Sequence, residues 1–356
     1  MEKMLRIFEA AIDQGASDIF IVPGTQIKIK FAVQGRTVSF GDAPLRAADT
    51  LELIREIYDQ GASSTIDAVL RTGDDDFSVS VPNLGRFRCN IYKQRGSLAA
   101  VIRCVRFSLP DPRALRIPDV VMNLSEKRNG VILVTGATGC GKSTTLACLV
   151  DRINSEHEGH IVTLEDPIEF LHSHKKSIVS QREVAHDTES YTVGLRAALR
   201  ESPRVILLGE MRDYETIRIA MTAAETGQLL LSSLHTIGAV STIDRLIDVF
   251  PSDQQQQVRL QFALTVQAIV SQQLLPATDG TIVPAFEIML ANPAIRTLIR
   301  EGKTHQLNNT ILNGQKDGMT TMDADILRLY REGAITRETA LAYAFDPEQM
   351  ARRLSM

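Results

Sequence analysis

From residue 18 to about 106, short apolar runs alternate with Gly, Asp and Pro turns: Ile19 to Val22, Ile27 to Val33, Phe77 to Val81, Phe87 to Tyr92 and Leu98 to Val105. Runs of this length, bounded by turn residues, predict strands. A helix-period segment, Thr50 to Tyr58, interrupts them, and Leu5, Phe8 and Ile12 recur at helical spacing near the start of the chain. Residues 1–107 are therefore expected to form a small α+β domain.

Two of these runs predict a hairpin. If Phe87 to Gln94 and Ser97 to Val105 are closed by Arg95-Gly96, pairing Gln94 with Ser97 fixes every other pair. Phe87, Cys89 and Ile91 then share a core face with Cys104, Ile102 and Ala100, while Arg88 falls directly opposite Arg103. Like charges facing each other on a sheet call for an anion nearby.

The stretch Ser108-Leu-Pro-Asp-Pro-Arg, followed by Ile117-Pro118, breaks both helix and ladder, so 108–120 reads as an interdomain linker. Beyond it, Val131 to Thr135, Ile161 to Leu164, Val205 to Leu208 and Leu229 to Leu234 are nearly continuous in apolar residues and separated by helical segments. That alternation predicts a parallel sheet covered on both faces, a RecA-like α/β core over 121–356. Asp213 is placed to cap a helix Tyr214 to Thr226 that stops at Gly227. From about residue 255 the period reads as helical, with Asn292-Pro293 and Asp346-Pro347 as helix starts.

The candidate chemistry sits where these strands end. Gly136-Ala137-Thr138-Gly139-Cys140-Gly141-Lys142-Ser143 fits G-x-x-x-x-G-K-[ST], follows the strand VILVT directly and runs on through Thr144 into a predicted helix. Small residues let consecutive backbone N–H groups face phosphates, and the helix N-terminus adds its positive dipole. Lys142 reaches the β- and γ-phosphates, and the Ser143 hydroxyl suits Mg²⁺. Cys140 reads as filler. Hydrolysis also requires carboxylates, and two strands end in them: Ile161-Val-Thr-Leu-Glu165 and Val205-Ile-Leu-Leu-Gly209-Glu210.

Composition narrows the setting. A chain of 356 residues with 44% hydrophobic and 23% charged residues suits two soluble domains, and a net charge of −4 offers no general field for nucleic acid or anionic lipid. The four cysteines contain no C-x-x-C pair, which argues against a zinc ribbon or a secreted disulfide framework. No run approaches about 18 uninterrupted apolar residues, and the N-terminal segment lacks the apolar stretch of a signal peptide. The expected location is the cytoplasm.

These residues resemble the secretion-type traffic ATPases, and within them the PilT-type retraction motors of type IV pili. The resemblance covers nearly the whole chain: GATGCGKST, TLEDPIEF, SQREVAHDT, LRAALRESPRVILLGEMRD, AAETG, SLHT and TIDRLIDVFP. Ala294-Ile-Arg296-Thr-Leu-Ile-Arg300-Glu301 resembles an element associated with retraction rather than assembly. The resemblance implies a PAS-like domain before the RecA-like core, ATP and Mg²⁺ as ligands, and a homo-hexamer with nucleotide between subunits. It implies an inner-membrane platform protein as partner, the pilus through it, and a place on the inner face of the membrane. It also implies Glu165 as catalytic glutamate, Glu210 as the acid near Mg²⁺, His235 as the γ-phosphate sensor, and Arg88 and Arg103 at the intersubunit site. Departures are Gln228 where the family carries a second histidine, Thr297 in place of Asn, and Ser17-Asp-Ile-Phe-Ile near the start. The rival readings are an assembly or secretion ATPase of the same superfamily, a nucleotide-gated scaffold without turnover, and a nucleic-acid translocase, which the acidic net charge disfavours.

Overall fold

The computed structural model describes residues 2–31, 36–60, 64–82, 84–105, 109–211 and 213–355. The chain divides into two compact units, Met1–Leu109 with Glu169–His172, and Pro110–Ile168 with Ser173–Met356. The division falls at the head of the proline-rich stretch. Most of the segment read as a linker thus belongs to the second unit, and its first residue, 108, lies outside the described residues.

The first unit is an antiparallel sheet of β1 (Asp18–Ile21), β2 (Ile27–Lys30), β3 (Thr37–Phe40), β4 (Asp74–Val81), β5 (Gly85–Gln94) and β6 (Ser97–Val105), in the order β3-β2-β1-β6-β5-β4. Helices Glu2–Asp13 and Ala47–Tyr58 turn their apolar stripes onto it. Met4, Phe8, Ile54 and Ile57 pack with Phe77, Phe87 and Ile102, and the rings of Phe8 and Phe87 stack at 3.9 Å. Part of the expected run to Val33 lies outside the described residues. Two elements escape the sequence pattern: β3, which has no buried residue, and the helix Ile66–Thr72, in which only Val69 is buried. Neither carries enough apolar periodicity to be seen.

The hairpin register is the expected one: Gln94 pairs with Ser97, and Arg88 with Arg103. Arg95 (φ 46°) and Gly96 (φ 78°) both lie at positive φ, the backbone of the hairpin turn whose twist matches its strands. Aspartates on the flanking strands supply the opposite charge. Asp76 lies 2.9 Å from Arg88, and Asp18 lies 3.3 Å from Arg103.

The second unit is built on β7 (Gly130–Thr135), β8 (Gly159–Glu165), β9 (Ser177–Glu183), β10 (Val205–Leu208), β11 (Leu229–Leu234), β12 (Val266–Pro276) and β13 (Ile282–Leu290). The order is β13-β12-β7-β11-β10-β8-β9, parallel throughout except that β13 runs antiparallel to β12. Every residue of β7, β10 and β11 is buried, as strands covered on both faces require. Apolar clusters form on both sides, around Leu133, Ile206 and Phe262 and around Val134, Leu149 and Phe286.

The helical reading from about residue 255 holds for Ser252–Thr265 and from Pro293 onward, but β12 and β13 lie between. Short apolar runs do not separate a buried strand from a buried helix by period alone. The capped starts are present: the Asn292, Asp346 and Asp213 side chains accept from Ile295 N, Gln349 N and Thr216 N at 2.9, 2.9 and 2.8 Å.

Candidate active site

Four parallel strands lie side by side in the order β7, β11, β10, β8, and each delivers a candidate residue at its carboxyl end. Gly136 follows β7, His235 follows β11, Glu210 stands two residues past β10, and Glu165 ends β8. This is the edge at which parallel α/β sheets bind ligands.

The glycine-rich loop is shaped by its close approach to β12. Gly136 has φ 138°, and a Cβ there would meet the Gln272 carbonyl oxygen at 2.4 Å; Gly141, at φ 91°, would meet the Gln272 amide nitrogen at 2.8 Å. The β12 residue Gln272 therefore braces the loop, and its Oε1 accepts from Thr145 Oγ1 at 2.8 Å. The helix Lys142–Glu156 starts immediately after Gly141, with its first-turn N–H groups toward the loop. Lys142 is buried, and its Nζ donates to the carbonyls of Gly136 and Ala137 at 2.9 and 3.0 Å. Burial pushes the Cys140 thiol up, which leaves it mainly unionised and consistent with packing.

His235 connects the loop to the second acid. Its Nδ1 lies 3.5 Å from Lys142 Nζ and 3.4 Å from Thr138 Oγ1, and its Nε2 lies 3.3 Å from Glu210 Oε2. Lys142 Nζ can only donate, so Nδ1 is placed to accept, and Nε2 faces the carboxylate of Glu210 without the geometry of a hydrogen bond. Glu165 stands one strand further out, where its Oε1 accepts from Thr163 Oγ1 at 2.6 Å and Gln181 Nε2 at 3.2 Å. Ser143 and Glu210 offer hard oxygen donors, a set that suits Mg²⁺. Arg88 and Arg103 belong to the other unit, on the outward face of its hairpin.

Other features were not visible in the sequence. A cavity of about 420 Å³ opens beside Gly141 and Thr144, walled by Leu115, Arg116, Leu274, Ile282 and Pro284. Its walls come from the supposed linker and from strands read as helix, so no linear signal marked it. In the helix Pro293–Arg300, Ile295 and Ile299 are buried, while Ala294 is exposed. Arg296 donates through Nη1 to the carbonyls of Ala263 and Leu264, both at 2.7 Å, and so caps the helix Ser252–Thr265.

Residues 1–282 match the family described as type II/IV secretion system protein, and the chain belongs to it. It is 46% identical over 277 residues to a twitching motility protein of Neisseria gonorrhoeae, a match covering 78% of this chain and 74% of that one. It is 42% identical over 335 residues to the type IV pilus retraction ATPase PilT of Pseudomonas aeruginosa, covering 94% and 96% of the two chains. A crystal structure of the pilus retraction motor PilT with bound ADP superposes with a TM-score of 0.88 at 44% identity, covering 98% and 99%. The chain is an ATPase with a mixed α/β fold, and its family binds ATP. Among the described residues, no helix is long and apolar enough to cross a membrane.

Proposed function

We propose that this chain is the ATP-hydrolysing motor of type IV pilus retraction, working as a homo-hexamer on the cytoplasmic face of the inner membrane against a platform protein that contacts the pilus. The observation that carries the reading is the chain of contacts from Lys142 through His235 to Glu210 at one sheet edge, in a protein so similar to retraction ATPases.

Each residue has a distinct task. The amides from Gly136 to Thr144 cradle the phosphates, and Lys142 exchanges its contacts to the loop carbonyls for phosphate oxygens. Ser143 and Glu210 hold Mg²⁺, which neutralises phosphate charge when bound. Glu165 orients the attacking water and draws off its proton. His235, in contact with both the loop lysine and Glu210, registers the presence of the γ-phosphate. The apolar cavity beside Thr144 takes the nucleoside, with Arg116 at its wall. Arg88 and Arg103 reach the triphosphate of a neighbouring subunit.

Phosphate release and nucleotide binding test the chemistry. Lys142→Ala loses nucleotide binding, whereas Glu165→Gln retains ATP and stops turnover. Normal turnover by Glu165→Gln alongside an inactive Glu210→Gln would reverse the two roles. Deletion of the gene tests the direction of force: surplus surface pili with lost motility is expected, and bald cells would mean assembly instead.

A further inference from the structure

The segment Ser180 to Thr188 belongs to the family resemblance, yet none of the tasks above uses it. In the fold it begins in β9, the strand outside β8, and the two run parallel with Thr163 beside Gln181 and Glu165 beside Glu183. Side chains two apart on a strand share a face, so these four project to the same side of the sheet. Thr163, fully buried, donates to Glu165 Oε1 at 2.6 Å, and Gln181 donates to the same oxygen at 3.2 Å. The backbone is tied in as well: Val184 N donates to the Glu165 carbonyl at 2.8 Å. The buried Glu183 accepts from Ile168 N at 3.1 Å, which fixes the turn three residues past Glu165.

We propose that Thr163 and Gln181 are positioning residues that hold the Glu165 carboxylate in the orientation required for the attacking water, with Glu183 anchoring the turn beyond it. The inference rests on the reading of Glu165 as catalytic. A glutamate at a strand end has three side-chain torsions, and two donors converging on one oxygen select a single arrangement. A base misplaced by about 1 Å costs on the order of a hundredfold in rate, so the clamp acts on turnover rather than on nucleotide affinity.

The test uses the full chain and compares Thr163→Val, which keeps shape and loses the hydroxyl, with Thr163→Ser, which keeps the hydroxyl. Gln181→Leu and Glu165→Gln complete the set. Steady-state phosphate release gives kcat and KM for ATP, and titration with a fluorescent ADP analogue gives affinity. Thr163→Val and Gln181→Leu are expected to lower kcat by about tenfold to a hundredfold, with KM and ADP affinity within about twofold of the parent. Thr163→Ser should restore most of the rate. Parent-like kcat in both Thr163→Val and Gln181→Leu, while Glu165→Gln is inactive, overturns the clamp and leaves the catalytic reading standing. Parent-like kcat in Glu165→Gln overturns both. If Gln181→Leu misfolds, the near-isosteric Thr163→Val against Thr163→Ser decides: equal rates in that pair overturn the role of the hydroxyl clamp.

Discussion

Nε2 of His235 lies 3.3 Å from Oε2 of Glu210. Because Nδ1 of the same ring lies 3.5 Å from Lys142 Nζ, the imidazole spans the loop lysine and the acid. His235→Ala is expected to lower kcat by about tenfold or more while leaving ADP affinity nearly unchanged, because ADP lacks the phosphate that the ring is proposed to register. Parallel measurements of ATP turnover and ADP binding check this. Equal losses in both would make the ring a support for the loop.

Arg296 gives a stability prediction. Its guanidinium caps the carbonyls of Ala263 and Leu264, and burial pulls its pKa below the ordinary value. Arg296→Ala should destabilise the chain by about 1.5 to 3 kcal/mol, the range for hydrogen bonds involving a charged group. Arg300→Ala, four residues on and exposed, should be near neutral. Thermal melts of the two variants compare them directly. Lost motility in Arg296→Ala at unchanged melting temperature would instead make Arg296 part of a motor-specific surface.

The contrast between Arg296 and the strand ends shows what a linear pattern can and cannot carry. β7, β8, β10 and β11 were legible because each is a nearly continuous apolar run closed at its carboxyl end by a glycine, an acid or a histidine. The Arg88 and Arg103 pairing was legible because a two-residue turn leaves one register. Arg296 was not, since its acceptors are helix carbonyls some thirty residues earlier that any sequence would provide. The cavity beside Thr144 was hidden for a related reason: Gln272 and Pro284 come together through the pairing of β12 with β13, far along the chain from Leu115.

Glu287 adds a pH dependence. It is buried on β13, where one oxygen accepts from Ala239 N at 2.7 Å and the other from Met322 N at 3.4 Å. One carboxylate thus meets the first amides of two helices, Ala239–Asp248 and Met322–Arg331. Burial raises its pKa above the ordinary value of 4.5, although the two amides oppose the rise. The folded state therefore holds the proton more tightly than the unfolded chain. The associated stability is fully present below the ordinary carboxylate value and is lost as pH rises through the raised one. The stability of the parent relative to Glu287→Gln should fall across that window, by at most about 1.4 kcal/mol per pH unit. Urea melts from pH 4.5 to 7.5 measure it, and a difference independent of pH would contradict the direction.

The last prediction concerns Arg88 and Arg103. They stand directly opposite on β5 and β6, an unfavourable placement for like charges without an anion nearby. Asp76 and Asp18 meet that need within the unit, so the pairing alone does not demand a phosphate. Yet the two guanidinium side chains remain 38% and 69% exposed, within reach of solvent on the outer side of the ribbon. Planar donors held on a rigid ribbon suit the charge that develops on a transferring phosphoryl group. The proposed intersubunit role gives a result that neither surface salt bridges nor a site within one chain would produce. Arg88→Ala/Arg103→Ala subunits and Lys142→Ala subunits should each be inactive alone. Mixed together, some interfaces combine an intact loop from one chain with intact arginines from the next. Phosphate release should then reappear, rising and falling with the mixing ratio and greatest near equal parts. Inactivity at every ratio, with co-assembly demonstrated by pull-down of differently tagged chains, would rule out arginines acting across the interface.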